Sequence, residues 1–165
     1  MPCSMSIDLI ALGRSLLGWI ERTPLSGVIR HSDWAVMGLE SVHLLGLALV
    51  GGVASVLAIA ASRRDGLRGL SVADLARGAL PLQAAGFALM AASGALIAWS
   101  MPHKYYLNAA FRLKMVLLLA AIAVTAWLWR SARRRGSAIA RRAAALLAFL
   151  LWLAVGLSGR WVGFL

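Results

Sequence analysis

Cysteine and acidic side chains are scarce in this sequence. The single cysteine, Cys3, excludes an internal disulfide and any cysteine-rich metal site. Only 6 acidic residues stand against 17 lysines and arginines. The sequence also lacks the glycine-rich phosphate loop, the G-x-S-x-G motif and the HExxH motif of nucleotide-binding proteins, hydrolases and metalloproteases. We therefore expect a chain that is not catalytic by itself.

A cleavable signal peptide is not evident either, because the first strong apolar segment is too long and starts too late. What the sequence has in abundance is apolar residues, at 61% with a mean hydropathy of +0.81, which is typical of membrane proteins. A formal charge of +11 would suggest nucleic acid in a soluble protein. Here the basic residues flank apolar segments, so membrane topology explains them and no nucleic-acid partner is expected.

Four segments are long and apolar enough to cross a bilayer, which takes about 20 residues. They must be helical, because lipid offers no partners to open backbone groups. We predict an all-α integral membrane protein, a four-transmembrane-helix bundle preceded by an N-terminal amphipathic interfacial helix. The predicted division is residues 1–30 for that helix and a turn, and residues 31–165 for the membrane domain. The predicted spans are 33–62, 79–100, 109–129 and 143–158.

The connections between the spans predict the orientation. Two arginine-rich loops, "SRRDGLRGLSVADLARG" and "RSARRRGSAIARR", fall on one side of a four-span bundle. The other side has "MPHKYYLN", with one lysine. The positive-inside rule makes the arginine-rich side cytoplasmic. We therefore expect both termini outside, which is the periplasmic side of the inner membrane in a Gram-negative bacterium.

The first 30 residues form a different kind of segment. Leu9, Leu16 and Ile20 share one helical face, while Asp8 and Arg22 line the other. A helix of this type is too charged to span and suits the outer membrane interface or the outer end of the bundle. The sequence "TPLSG" is expected to break it before the first span.

Small residues recur at helical spacing inside the spans, where they let helices approach closely. We interpret them as packing positions, and they also suggest self-association or a place in a membrane complex. They are Gly38, Gly46, Ala48, Gly52, Gly86 and Gly94.

Glu40 and His43 lie inside the first span, three residues apart and therefore on one helical face. His43 lies about 15 Å in from Asp33, near mid-bilayer, and Glu40 about one turn shallower. Ionisable groups at this depth are costly and usually face partners in the bundle interior. In the third span, Arg112 and Lys114 lie at a depth comparable to Glu40. We predict a buried cluster of Glu40, His43 and Arg112 or Lys114 in the outer half of the membrane.

The sequence leaves two interpretations of this cluster open. It is either a salt bridge that fixes helix packing or a cofactor site. A histidine inside a span suits haem b as an axial ligand, and a nearby cation suits a haem propionate or a quinone. His31 lies about 18 Å from His43 along a helix, so the two cannot share an iron. A six-coordinate haem would therefore use His43 from two copies, a ligand from a partner protein, or His103 on an inward-folded loop.

A second group of candidate ligands lies on the outer face. His31 precedes the first span, and Met101 and His103 lie between the second and third spans, so all three fall on the same side of the membrane. Methionine together with histidine favours copper as the bound metal. The spacing matches no strong ligand motif, so a solvated loop is the competing interpretation. Arg160 follows the fourth span on this side, against the positive-inside trend. It either snorkels to the interface or joins the Glu40 cluster.

The order of these features resembles a family of small bacterial four-helix membrane proteins of unknown function. The resemblance covers about four-fifths of the chain. It rests on "TPLSGVIRHSDWAVMGLESVHLLGLALVGG", "LPLQAAGFALMAASGALIAW", "YYLNAAFRLKMVLLL" and "GRWVGF". It implies functional positions at His43, Asn108, Lys114 and Arg160. The family's Asp-Leu-Arg-Leu-like motif after the first span is replaced here by "VLAIAASRR". A looser similarity to cytochrome b-type anchors and copper-resistance membrane proteins rests on architecture alone.

The leading functional hypothesis is a membrane subunit or anchor that works with a periplasmic redox protein. In that hypothesis His43 is a haem b ligand or a quinone contact, and Glu40, Arg112 and Lys114 form its charge environment. The first alternative is a copper-handling membrane protein that uses the outer-face ligands. The second is a structural or assembly subunit with no cofactor.

Overall fold

The structure, a computed structural model, describes residues 15–63, 67–132 and 137–162. These ranges are almost entirely α-helical, which confirms the predicted all-α fold. A short helical segment covers residues 15–21. The helices that follow are α1 (Pro24–Arg30), α2 (Asp33–Ser62), α3 (Val72–Ser100), α4 (Pro102–Tyr106), α5 (Ala109–Ala132) and α6 (Ala138–Val162).

Four of these helices, α2, α3, α5 and α6, are long and apolar enough to cross a membrane. Their outward surfaces are apolar as well. Leu44, Val116 and Leu119 are each more than 60% exposed in the isolated chain. A soluble protein rarely exposes a continuous apolar surface, and a bilayer covers one. The chain is therefore a multi-pass membrane protein.

The four spanning helices form a bundle with a defined neighbour pattern. Helix α2 packs on α3 and α6, and helix α5 packs on α6 and α3, so α2 and α5 occupy opposite corners. Helices α1 and α4 pack at the end of the bundle opposite the arginine-rich loops. That end is called the outer end below.

Two apolar layers fill the bundle. The layer nearer the arginine-rich loops is built around Leu57, Ala60 and Leu128. The middle layer is built around Val50 and Trp152, which are both almost fully buried. Trp152 donates its indole N–H to the Thr125 hydroxyl over 3.1 Å, so this polar atom has a partner inside the core.

Glycines set the close approach of α2 and α3. A Cβ atom at Gly46 would lie 2.7 Å from the carbonyl oxygen of Gly86 and 2.7 Å from the amide nitrogen of Met90. Both neighbours are backbone atoms and have no room to move, so only glycine fits. The predicted packing role is thus confirmed for Gly46 and Gly86. It is wrong for Gly38 and Gly52, where a Cβ would meet nothing within 4 Å.

The amino-terminal segment docks on the outer end of the bundle. The chain turns at Arg22 and Thr23, but Pro24 then starts α1, so "TPLSG" opens a helix and does not only break one. Ser26 donates its hydroxyl to the carbonyl of Ser100 over 3.0 Å, and Trp99 donates its indole N–H to the Thr23 hydroxyl over 3.1 Å. These two hydrogen bonds fix α1 to the end of α3.

The short helical segment before α1 exposes apolar side chains. Leu16 is 54% exposed and Trp19 is 66% exposed, which suits a position in the membrane interface. The earlier part of the predicted amphipathic helix, with Asp8 and Leu9, lies outside the described residues, as does Cys3.

Two spanning helices are longer than the apolar segments within them. Helix α3 begins at Val72 because Ser71 and Asp74 form a capping box, in which each side chain accepts a hydrogen bond from the other residue's backbone N–H. Helix α6 continues through Arg160 to Val162. Capping and backbone bonding, not hydropathy, decide where these helices begin and end.

Candidate functional site

Lys114 and His43 meet inside the outer half of the bundle. The Lys114 ammonium nitrogen lies 3.5 Å from Nε2 of His43. His43 is on α2 and Lys114 is on α5, at opposite corners, so the lysine side chain reaches across the interior. Both side chains are shielded from the surface but not fully buried. They are called the Lys114–His43 pair below.

Ser93 on α3 orients the imidazole. The Ser93 hydroxyl donates to the Leu89 carbonyl over 2.6 Å, so its proton is already engaged. Nδ1 of His43 lies 3.2 Å from the same hydroxyl oxygen. Because that oxygen has only lone pairs left, Nδ1 must carry the proton and donate. The lone pair of Nε2 is then directed at Lys114, which donates to it.

Two glycines make room for the pair. A Cβ atom at Gly94 would lie 2.9 Å from Cε1 of His43. A Cβ atom at Gly159 would lie 3.1 Å from the Lys114 ammonium nitrogen. The packing role predicted for Gly94 is therefore confirmed, and its neighbour is the imidazole. With α2, α3, α5 and α6 all contributing, the pair sits where the four spanning helices converge.

Lys114 has no carboxylate partner in the part of the chain that the structure describes. The ion pairs found there join Glu21 to Arg30 and Asp74 to Arg77, and a carboxylate oxygen of Glu21 also lies 3.6 Å from Nε2 of His103. Among the described residues, the one polar side-chain contact of the Lys114 ammonium is Nε2 of His43. The pair therefore places a positive charge inside the bundle, and no side chain in residues 15–63, 67–132 and 137–162 neutralises it by an ion pair.

Glu40 lies apart from the pair. Its side chain is exposed, and its charge acts on Tyr105 of α4. Burial raises the pKa of the Tyr105 hydroxyl, and the negative charge of Glu40 raises it further. The predicted cluster of Glu40 with His43 and a cation is thus smaller than expected, because Glu40 sits about one turn nearer the outer end and is exposed.

Arg112 and Arg160 are also exposed at the outer end. Arg112 precedes Lys114 by two residues, which turns it to another side of α5. Arg160 lies on α6 directly after Gly159, so it belongs to the helix and not to a segment that turns back. Neither side chain is part of the Lys114–His43 pair, although both add positive charge to this end.

Asn108 caps α5. Its side-chain oxygen accepts hydrogen bonds from the backbone N–H groups of Ala110, over 2.8 Å, and Phe111, over 3.3 Å. This is the N-cap position, where asparagine satisfies donors that lack a partner within the helix. Asn108 therefore fixes the start of the helix that carries Lys114, six residues further on.

The capping contact gives a testable prediction. An Asn108→Ala variant should lose about 1 kcal/mol of stability, because alanine cannot accept the two N–H bonds. Asn108→Asp should keep most of the stability, since a carboxylate accepts the same bonds. Denaturant-induced unfolding in detergent, followed by circular dichroism, measures both. Equal stability of Asn108→Ala and the wild type would contradict the capping role.

The outer-face copper candidates all lie at the outer end of the bundle. His31 is exposed at the end of α1, and Met101 joins α3 to α4. His103 on α4 places Nε2 3.6 Å from a carboxylate oxygen of Glu21. In residues 15–63, 67–132 and 137–162, no group of three or more His, Cys, Asp or Glu side chains is placed to hold a metal ion.

Sequence reasoning found His43 and Lys114 but missed two of their neighbours. Ser93 and Gly159 gave no signal, because serine and glycine are common in spanning helices. Ser93 could have been found from its position directly before Gly94, on a helix that runs antiparallel to α2. Whether Ser93 or Gly159 contacts the pair depends on how its helix is rotated about its own axis, and a single sequence does not specify that rotation.

Among known proteins, neither the curated sequences nor the solved structures include a match to the chain. A family model matches residues 11–165, which includes every residue of the site described above. The chain therefore belongs to a family of unknown function, DUF6644.

Proposed function

We propose that this chain is the membrane subunit of a redox complex and that the Lys114–His43 pair binds the headgroup of a lipid-soluble quinone. The observation that carries the proposal is the pair itself. It offers a cationic donor and a neutral acceptor 3.5 Å apart, inside a bundle packed mainly with apolar side chains. Groups this costly in lipid are usually retained for a ligand or a proton path.

The two groups match the chemistry of both redox forms of a quinone. A quinone carbonyl oxygen accepts a hydrogen bond, which the Lys114 ammonium donates. A quinol hydroxyl donates a hydrogen bond, which the single lone pair of His43 Nε2 accepts in place of the Lys114 ammonium. The positive charge of Lys114 also favours the electron-rich form, because no carboxylate within the described residues neutralises it. A bound quinone would supply the two-electron chemistry that these side chains lack.

Haem b is the second candidate, and one observation favours it. Nδ1 of His43 donates to Ser93, which leaves Nε2 as a lone-pair donor of fixed orientation. Metal-binding histidines are commonly held in this way. A haem would need a second axial ligand from another copy or a partner, because His31 and His103 lie at the outer end. The quinone needs no further residue and is therefore preferred.

The orientation and the partner follow as parts of the same proposal. The arginine-rich loops face the cytoplasm by the positive-inside rule, so the outer end faces the periplasm. The pair then lies in the outer half of the membrane, close to a periplasmic redox protein docked on α1 and α4. Such a protein would exchange electrons with the quinone across the outer end.

Binding of a tail-less quinone to the purified protein tests the proposal. Quenching of tryptophan fluorescence on titration gives the dissociation constant. Lys114→Met should weaken binding about tenfold or more, because a hydrogen bond to a charged group is lost. Lys104→Met, which removes an exposed lysine of α4, should change it less than about twofold. Equal affinity of the wild type and Lys114→Met would contradict the proposal.

A further inference from the structure

A groove runs along the membrane-facing side of the bundle between α2 and α6. Its volume is about 230 Å³. On α2 it is lined by Leu47, Gly51 and Ser55, which follow each other at one-turn spacing. On α6 it is lined by Phe149, Trp152, Leu153, Gly156 and Leu157. It is called the lateral groove below.

The lateral groove presents almost no free polar atoms. The Ser55 hydroxyl donates to the Gly51 carbonyl over 2.8 Å, and the Trp152 indole N–H donates to Thr125 over 3.1 Å. Both polar side chains of the lining are therefore satisfied within the protein. A polar ligand would gain no hydrogen bond there, whereas an apolar chain would gain contact area.

The lateral groove lies close to the Lys114–His43 pair. Its outermost α2 residue, Leu47, lies one helical turn from His43 in the same row of side chains. Its Gly156 lies about one turn from Gly159, the residue against the Lys114 ammonium. The groove and the pair are thus neighbours along α2 and along α6.

We propose that the lateral groove holds the first part of the isoprenoid chain of a quinone whose headgroup meets the Lys114–His43 pair. This inference rests on the proposed function. Pockets for whole ligands measure roughly 300–1,000 Å³, so a groove of about 230 Å³ holds only part of one. An isoprenoid chain has the required chemistry, because it is apolar and directly attached to a headgroup that needs polar contacts. The groove opens toward lipid, so the remainder of the chain extends into the bilayer.

Filling the groove tests the inference. A Cβ at Gly51 would meet nothing within 4 Å, so Gly51→Leu adds a side chain to the groove without a clash in the fold. Gly52→Leu is the matched control, because Gly52 is the next residue, is exposed, and does not line the groove. Gly51→Leu should weaken binding of a long-chain quinone about tenfold and leave binding of a tail-less quinone unchanged. Gly52→Leu should change neither.

The outcomes separate this inference from the function on which it rests. Failure of the wild type to bind a tail-less quinone would overturn both. If the wild type binds a tail-less quinone and Gly51→Leu does not weaken binding of a long-chain quinone, only the inference about the groove would be overturned. A change of oligomeric state in Gly51→Leu would instead assign the groove to a second copy of the chain. Loss of co-purified phospholipid, with long-chain quinone binding intact, would assign it to a lipid acyl chain.

Discussion

A Gly46→Val variant is expected to lose about 3 kcal/mol of stability, because the new side chain would overpack the crossing of α2 and α3. Its Cβ would lie 2.7 Å from two backbone atoms, so no rotamer change relieves the clash and the helices must separate. The α2–α3 contact is the most extensive in the bundle. Thermal unfolding in detergent, with size-exclusion chromatography to detect loss of the compact form, measures the effect.

The matched control is Gly38→Val on the same helix. A Cβ at Gly38 meets open space, so this variant should stay within about 0.5 kcal/mol of the wild type. Equal stability of Gly46→Val and Gly38→Val would show that α2 and α3 do not cross at Gly46. It would also remove the basis for placing His43 against Gly94, about one turn along the same contact.

A Lys114→Met variant is expected to raise the stability of the ligand-free protein by about 1 kcal/mol. A charged residue costs about 2.5 to 3.5 kcal/mol at the centre of a spanning helix and less at Lys114, which is the sixth residue of α5, and methionine removes most of that cost. The lost hydrogen bond to His43 offsets about 1 kcal/mol of the gain. Methionine keeps the length of the lysine stem, so the space beside Gly159 stays filled. Unfolding by denaturant in detergent measures the difference.

This prediction separates a binding site from a packing contact. If the pair exists to fix helix packing, Lys114→Met should destabilise the bundle. If it exists to bind a ligand, the same change should stabilise the bundle and weaken quinone binding. Lys104→Met, at an exposed position, should leave stability within about 0.5 kcal/mol. Destabilisation by Lys114→Met would favour the structural-subunit hypothesis.

The membrane architecture could be predicted from the sequence because length and hydropathy alone determine a span. The depth of His43 and Lys114 could be predicted for the same reason, since each residue adds a fixed rise along a helix. The helix starts were less predictable. Helix α3 begins at Val72 through the Ser71–Asp74 capping box, well before its apolar segment.

The partners of His43 could be predicted only in part. Glu40 shares a helical face with His43, yet its side chain is exposed and takes no part in the pair. Depth along a helix follows from counting residues, whereas rotation about the helix axis follows from packing against three neighbours. The same limit explains the glycines. Gly38 and Gly46 look alike in sequence, and only Gly46 faces another helix.

The most direct test of the account is the quinone content of the detergent-purified wild-type protein. Solvent extraction, followed by the oxidised-minus-reduced ultraviolet spectrum, measures it, and the visible spectrum of the same sample reports haem. The account predicts retained quinone, much less of it in Lys114→Met, and no b-type haem band. Protein that retains no quinone and binds none when it is added would contradict the account. A b-type band in that sample would make His43 an iron ligand.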